Sequence, residues 1–190
     1  MNRTLLVIAM FCSASTFAQS PVINNAEIDN SGMQYQGNLT VNQAAGDQQQ
    51  QVNARAIAIG HGATATTQIR QRLGSSGDPA MDASSSIQGN SFSRGNGAVG
   101  VNQSSGASNQ QANALRISVS DQPQSIDDSV LMQQNVALLN NSDPTDSAPG
   151  YRQVTTSDQA FTGSRGVIQL NQSAGVGNRM GNTLSIRVAD

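Results

Sequence analysis

The sequence predicts an all-β fold: a three-rung β-solenoid or Greek-key layer stack built from three imperfect repeats, cross-β on polymerisation. Three observations carry this prediction. Residues 99–119, Val-Gly-Val-Asn-Gln-Ser-Ser-Gly-Ala-Ser-Asn-Gln-Gln-Ala-Asn-Ala-Leu-Arg-Ile-Ser-Val, recur at 39–59 and 168–188, and the three copies align without a gap on Gly46, Gly106 and Gly175. Within each copy, aliphatic residues alternate with polar or small ones, the period of a half-buried strand. The composition is 3% aromatic and 12% charged, with a net charge of −2. A disordered chain usually carries a high net charge, whereas weakly charged Asn/Gln-rich chains are those that stack as ordered sheets. A repeated unit of this length sets the architecture before any single residue does.

Taken in order, residues 1–18 read as a secretory signal: Met1-Asn2-Arg3, an apolar run over 5–11, then small residues up to Ala18. The run is too short for a membrane span. Cys12 lies inside it, so the mature chain is expected to carry no cysteine and no disulfide, in keeping with a bacterial periplasmic or surface protein. A short lead follows over 19–30, and repeat 1 over 31–60. The linker over 61–83 ends in the breaker Gly74-Ser75-Ser76-Gly77-Asp78-Pro79. Repeat 2 spans 84–120. A second linker over 121–157 holds Leu131, Met132, Leu138 and Leu139 at helix-like spacing, interrupted by Gln133-Gln134-Asn135. Repeat 3 occupies 158–190.

Each repeat is expected to form strand, turn and strand. Leu39 and Val41, Val99 and Val101, and Ile168 and Leu170 supply the alternating aliphatics of the first strand. Gly46, Gly106 and Gly175 follow where the chain needs a bend that tolerates positive φ. Beyond the glycine, Asn109, Gln111, Asn113, Leu115, Ile117 and Val119 fall at even spacings, so one strand points them to a single face. That face is amide first and aliphatic second. Ile57 and Ile59, and Leu184, Ile186 and Val188, are the counterparts of its aliphatic half. Buried amides are costly when unpaired. Stacked copies solve this, because identical amides one rung apart, at about 4.8 Å, bond along the stack. Three such columns run through all three copies: Asn42/Asn102/Asn171, Asn53/Asn113/Asn182 and Gln43/Gln103/Gln172. Arg55 stands where Leu115 and Leu184 stand, so repeat 1 is expected to be looser or solvent-facing there. Arg116 and Arg187 are expected to point outward into water. Phe92 and Phe161 are expected to plug a rung corner, with Met33 and Tyr35 near the matching position of repeat 1.

Glycine, alternating aliphatics, Asn, a small pair, Gly, then Gln-Gln-x-Asn-x-Leu-x-Ile resembles the repeat of the Fap functional amyloids of Pseudomonas-type bacteria. A signal, three imperfect repeats and two unlike linkers resemble that family's layout. The resemblance covers the repeats, and it implies an extracellular fibre subunit passing through the periplasm and an outer-membrane export pore. The short chain and degenerate repeats are more similar to the family's minor, nucleating subunit than to its major one. The Cys-x-Cys ending of some Fap proteins is not present in Arg187-Val188-Ala189-Asp190. Curli repeats are shorter and do not match this spacing.

The sequence offers no active site, so an enzyme is not expected. His61 is the one histidine, and between Gly60 and Gly62 it reads as a turn residue. Without a histidine pair or mature cysteines, no closed zinc site forms. Asp127, Asp128, Asp143 and Asp146 lack the oxygen spacing of a calcium loop. Gly95-x-Gly97-x-x-Gly100 fits the dinucleotide fingerprint in letters but continues as strand. The slightly acidic chain has no basic cluster for nucleic acid. No cofactor, metal or small-molecule substrate is expected. The expected partners are further copies of the chain itself, a major amyloid subunit and the export pore, in a fibre serving biofilm and surface adhesion. A periplasmic chaperone of the same system and a non-polymerising β-solenoid adhesin are the alternatives.

Overall fold

A computed structural model describes residues 22–73, 81–121 and 150–189. The signal over 1–18, the breaker over 74–79 and the 131–139 segment lie outside the described residues. Nine strands form three parallel three-stranded sheets among the described residues. The first rung comprises β1 (Ile23–Asp29), β2 (Gln36–Ala45) and β3 (Gln50–Ile59). The second comprises β4 (Asp82–Gln88), β5 (Asn96–Ala107) and β6 (Gln110–Ser120). The third comprises β7 (Arg152–Thr156), β8 (Arg165–Val176) and β9 (Arg179–Ala189). Sheets β1-β4-β7, β2-β5-β8 and β3-β6-β9 run along the stack, with the second rung in the centre of each.

Register follows the repeat. Leu39, Val99 and Ile168 are neighbours across β2-β5-β8, as are Asn53, Asn113 and Asn182 across β3-β6-β9. The fold is all-β and layered, as the repeat predicts. A rung, however, has three strands rather than the expected two. β1 falls in the 19–30 lead, and β7 falls near the end of the second linker. The reason is visible in the columns of this first sheet. Asn24/Ala83/Arg152 and Glu27/Ser86/Thr155 share no side-chain type, so self-similarity does not mark them.

The middle sheet is covered on both faces. Towards β1-β4-β7, Val99 and Val101 are fully buried with Ile28, Ile87 and Phe92, and Leu39, Val41, Leu170 and Phe161 complete the apolar core. Towards β3-β6-β9 the interface is mostly amide and hydroxyl. Strand alternation thus separates a seam with an aliphatic and aromatic centre, closed at one side by the Gln43/Gln103/Gln172 column, from one that is hydrogen-bonded throughout. The first linker lies back on the outer face of β3 and β6. Ala65 N donates to Ser118 Oγ at 2.9 Å, and Gln71 Nε2 donates to the carbonyls of Gln50 and Gln111 at 3.1 Å each.

Candidate assembly site: the amide columns and rung faces

The parallel register lifts each repeated amide directly over its copy. Asn102 Nδ2 donates to Asn42 Oδ1 at 3.0 Å, and Asn171 Nδ2 donates to Asn102 Oδ1 at 2.9 Å. In the second column, Asn113 Nδ2 donates to Asn53 Oδ1 at 3.0 Å and Asn182 Nδ2 to Asn113 Oδ1 at 3.1 Å. In the third, Gln103 Nε2 donates to Gln43 Oε1 at 2.8 Å and Gln172 Nε2 to Gln103 Oε1 at 3.0 Å. Gln103 also donates to the Ala26 and Ser86 carbonyls of the first sheet.

The two asparagine columns face each other across the polar seam. Within each rung the later Asn donates to the earlier one, at 2.7 Å for Asn53 to Asn42 and 3.0 Å for both Asn113 to Asn102 and Asn182 to Asn171. All but Asn42 also reach a backbone carbonyl of the opposite sheet: Asn53 to Val41, Asn102 to Val52, Asn113 to Val101, Asn171 to Ala112 and Asn182 to Leu170. Asn102 and Gln103 have no exposed surface and Asn113 only 1%. Such complete pairing is what makes a buried polar network tolerable.

Further columns flank these. Gln110 donates to Gln50, Gln51 to Gln111 and Asn178 to Asn109, with the Ser104 and Ser173 hydroxyls taking bonds from Gln51 and Gln111. The pairs at Gln50/Gln110 and Gln51/Gln111 were present in the alignment but end at Arg179 and Met180 in the third copy, which hid them.

Comparison with known proteins identifies the family. The family model described as "Functional amyloid protein FapB/FapC family" matches residues 11–189. The chain belongs to the FapB/FapC family. It is similar to the functional amyloid subunit FapC of Pseudomonas aeruginosa (strain PAO1), 36% identical over 105 residues. That match covers 52% of this chain and 31% of the relative. No solved structure matches the chain.

In this FapB/FapC chain the expected bend glycines sit slightly before the bends. Gly106 and Gly175 lie inside β5 and β8, and the turn residues with positive φ are Gln48, Ser108 and Gly177. What the glycines provide is close backbone stacking. At φ near +100 to +120°, a Cβ on Gly46 would sit 2.0 Å from the Gly106 carbonyl oxygen, and one on Gly106 2.0 Å from that of Gly175.

The aliphatic positions divide. Val99, Val101 and Leu115 are buried, and Leu39, Val41 and Leu170 half-buried against the core. Ile117, Val119 and Ile186 are half-buried, whereas Ile57, Ile59, Ile168, Leu184 and Val188 are exposed. The expected dry half of the last strand is therefore a ledge. The exposed Ile57 and Ile59 against half-buried Ile117 and Val119 reflect the uncovered position of the first rung.

The arginines differ from expectation. Arg116 is 2% exposed, on the face of β6 next to the connector-bound Ser118, and Arg187 is half-buried. Neither stands out in water. Arg55 does not loosen its rung. It donates to Asn38 Oδ1, to the Ala98 carbonyl at 2.7 Å and to the Leu39 carbonyl at 2.9 Å. Burial holds its pKa below the usual guanidinium value, with Tyr35 opposing. Phe92, 1% exposed, stacks on Phe161 with centroids 5.2 Å apart. Their counterpart in the first rung is Gly32, whose space the Phe92 ring takes. Tyr35 is buried and Met33 exposed. His61 Nδ1 lies 2.6 Å from Asp121 Oδ2 and joins the ends of the first two rungs.

Proposed function

We propose that this chain is a secreted amyloid subunit that extends or nucleates cross-β fibres by adding its rungs to those of another chain. The observation that carries this is that, among the described residues, no strand pairs with the outer edge of β1, β2 and β3 at one end of the stack or of β7, β8 and β9 at the other. Open parallel edges template the addition of further strands, and the amide columns supply the register. Its partners are then further copies of itself and a major fibre subunit, reached through an outer-membrane pore, with the fibre on the cell surface in biofilm and adhesion. Degenerate third-copy columns favour a nucleating subunit over the major one.

The test is to incubate the purified mature chain alone and with a FapC-type subunit while following thioflavin fluorescence. Unassisted growth supports a fibre subunit, and a shortened lag for the partner supports nucleation. A chain that stays monomeric and lengthens the partner's lag overturns both and assigns it a chaperone role.

A further inference from the structure

The two ends of the stack carry opposite charge. On the strands and turns of the first rung, three acids, Glu27, Asp29 and Asp47, stand exposed against the half-buried Arg55, while the exposed Arg70 and Arg72 lie on the connector along the side of β3 and β6 rather than on the rung's own strands. On the third rung, among the described residues, four arginines, Arg152, Arg165, Arg179 and Arg187, stand against one acid, Asp158. Arg152 and Arg165 are exposed. The middle rung is balanced, with Asp82 and Asp121 against Arg94 and Arg116. Charge along the stack thus runs from acidic to basic. None of the acids of one end shares a column with an arginine of the other: Glu27 heads the Ser86/Thr155 column and Arg165 ends the Gln36/Asn96 column. Stacking one copy on another in register therefore interleaves the two signs instead of opposing like charges.

The amide columns carry a second, independent polarity. In Asn42/Asn102/Asn171, Asn53/Asn113/Asn182 and Gln43/Gln103/Gln172 every inter-rung bond runs from the amide nitrogen of the later rung to the oxygen of the earlier one. Gln110 to Gln50 and Asn178 to Asn109 run the same way, and Gln51 to Gln111 runs against them. The next donors in line are on the first rung and the next acceptors on the third. A first rung laid on a third continues the columns. Two first rungs face to face would present donor to donor and acid to acid.

We propose that the acidic first-rung face and the basic third-rung face are a charge-matched pair that directs copies of this chain to add head to tail, giving a fibre with two unlike ends. This rests on the polymerising role proposed above. Charge complementarity acts mainly on encounter rate and orientation, so it is strongest at low salt.

Two variants test it. Glu27→Lys/Asp29→Lys/Asp47→Lys makes both ends basic, and Arg152→Glu/Arg165→Glu makes the third-rung face acidic or neutral while the first stays acidic. All five positions are exposed, and far-UV circular dichroism of the soluble chains checks that each folds. Elongation at low salt is expected to be about tenfold slower or more for each variant alone, and to approach wild type when the two are mixed, because each supplies the face that the other lacks. In high salt the differences should shrink. Single variants that elongate like wild type at low salt, or a mixture as slow as its components, overturn the charge-matched faces. A wild-type chain that does not polymerise overturns the underlying role instead.

Discussion

Asn113 shows how a single residue holds the polar seam. Its amide nitrogen serves Asn53, Asn102 and the Val101 carbonyl, and its oxygen accepts from Asn171 and Asn182. Removing it leaves several buried groups without a partner, each costing about 1–3 kcal/mol. Asn113→Leu, close in volume, is therefore expected to destabilise the soluble chain by about 3 kcal/mol or more. Asn96→Leu, at an exposed strand end, should stay within about 0.5 kcal/mol. Urea unfolding midpoints compare the two, and equal shifts would remove the network from the stability account. The columns through Asn42, Asn53 and Gln43 were legible because all three copies keep them. Arg55 was not, because sequence position marks a charge where leucine is the rule but does not reveal that three oxygens surround the guanidinium.

At the scale of the element, the three sheets differ in how far the sequence describes them. The middle and third sheets repeat their side chains from rung to rung, so alternation and register could be read directly. The first sheet sets Ile28 over Ile87 but has Thr156 in the third rung, and its other inward columns, Asn24/Ala83/Arg152 and Ala26/Ser85/Val154, vary like its outward ones. No column of this sheet keeps one side chain through all three rungs, and the first strand of each rung was missed for that reason. The sheet corners were also unreadable, since they are fitted between unlike residues. The Tyr35 ring occupies the space over Gly95, where a Cβ would lie 1.8 Å from it, and the Phe92 ring occupies the space over Gly32. In each of these columns a ring fills the space that a glycine one rung away leaves open. Gly95→Ala is expected to cost about 2 kcal/mol in the native background and under about 1 kcal/mol when combined with Tyr35→Ala, which vacates the space. A double-mutant cycle measures the coupling, and additive effects would contradict this corner packing.

Over the whole molecule, three properties converge on polymerisation: parallel in-register rungs, buried amide columns that end on both outer rungs, and end faces of opposite charge. The apolar seam between the first and middle sheets and the polar seam between the middle and third divide the tasks. The first supplies non-directional stabilisation, and the second fixes register, because a one-residue slip would move each amide off its partner. Membership of the FapB/FapC family follows from the sequence match, and the proposed stacking of chain on chain extends the rung-on-rung stacking within one chain. If each chain contributes its three rungs to a continuous stack, the axial advance per subunit is about three inter-strand spacings, or roughly 14 Å. The direct measurement is the helical rise per subunit in fibres of the mature chain by electron cryo-microscopy. A rise near 14 Å with strands spaced at about 4.8 Å is the predicted result. A rise of about 4.8 Å per chain, with each subunit flattened into a single layer, would contradict it.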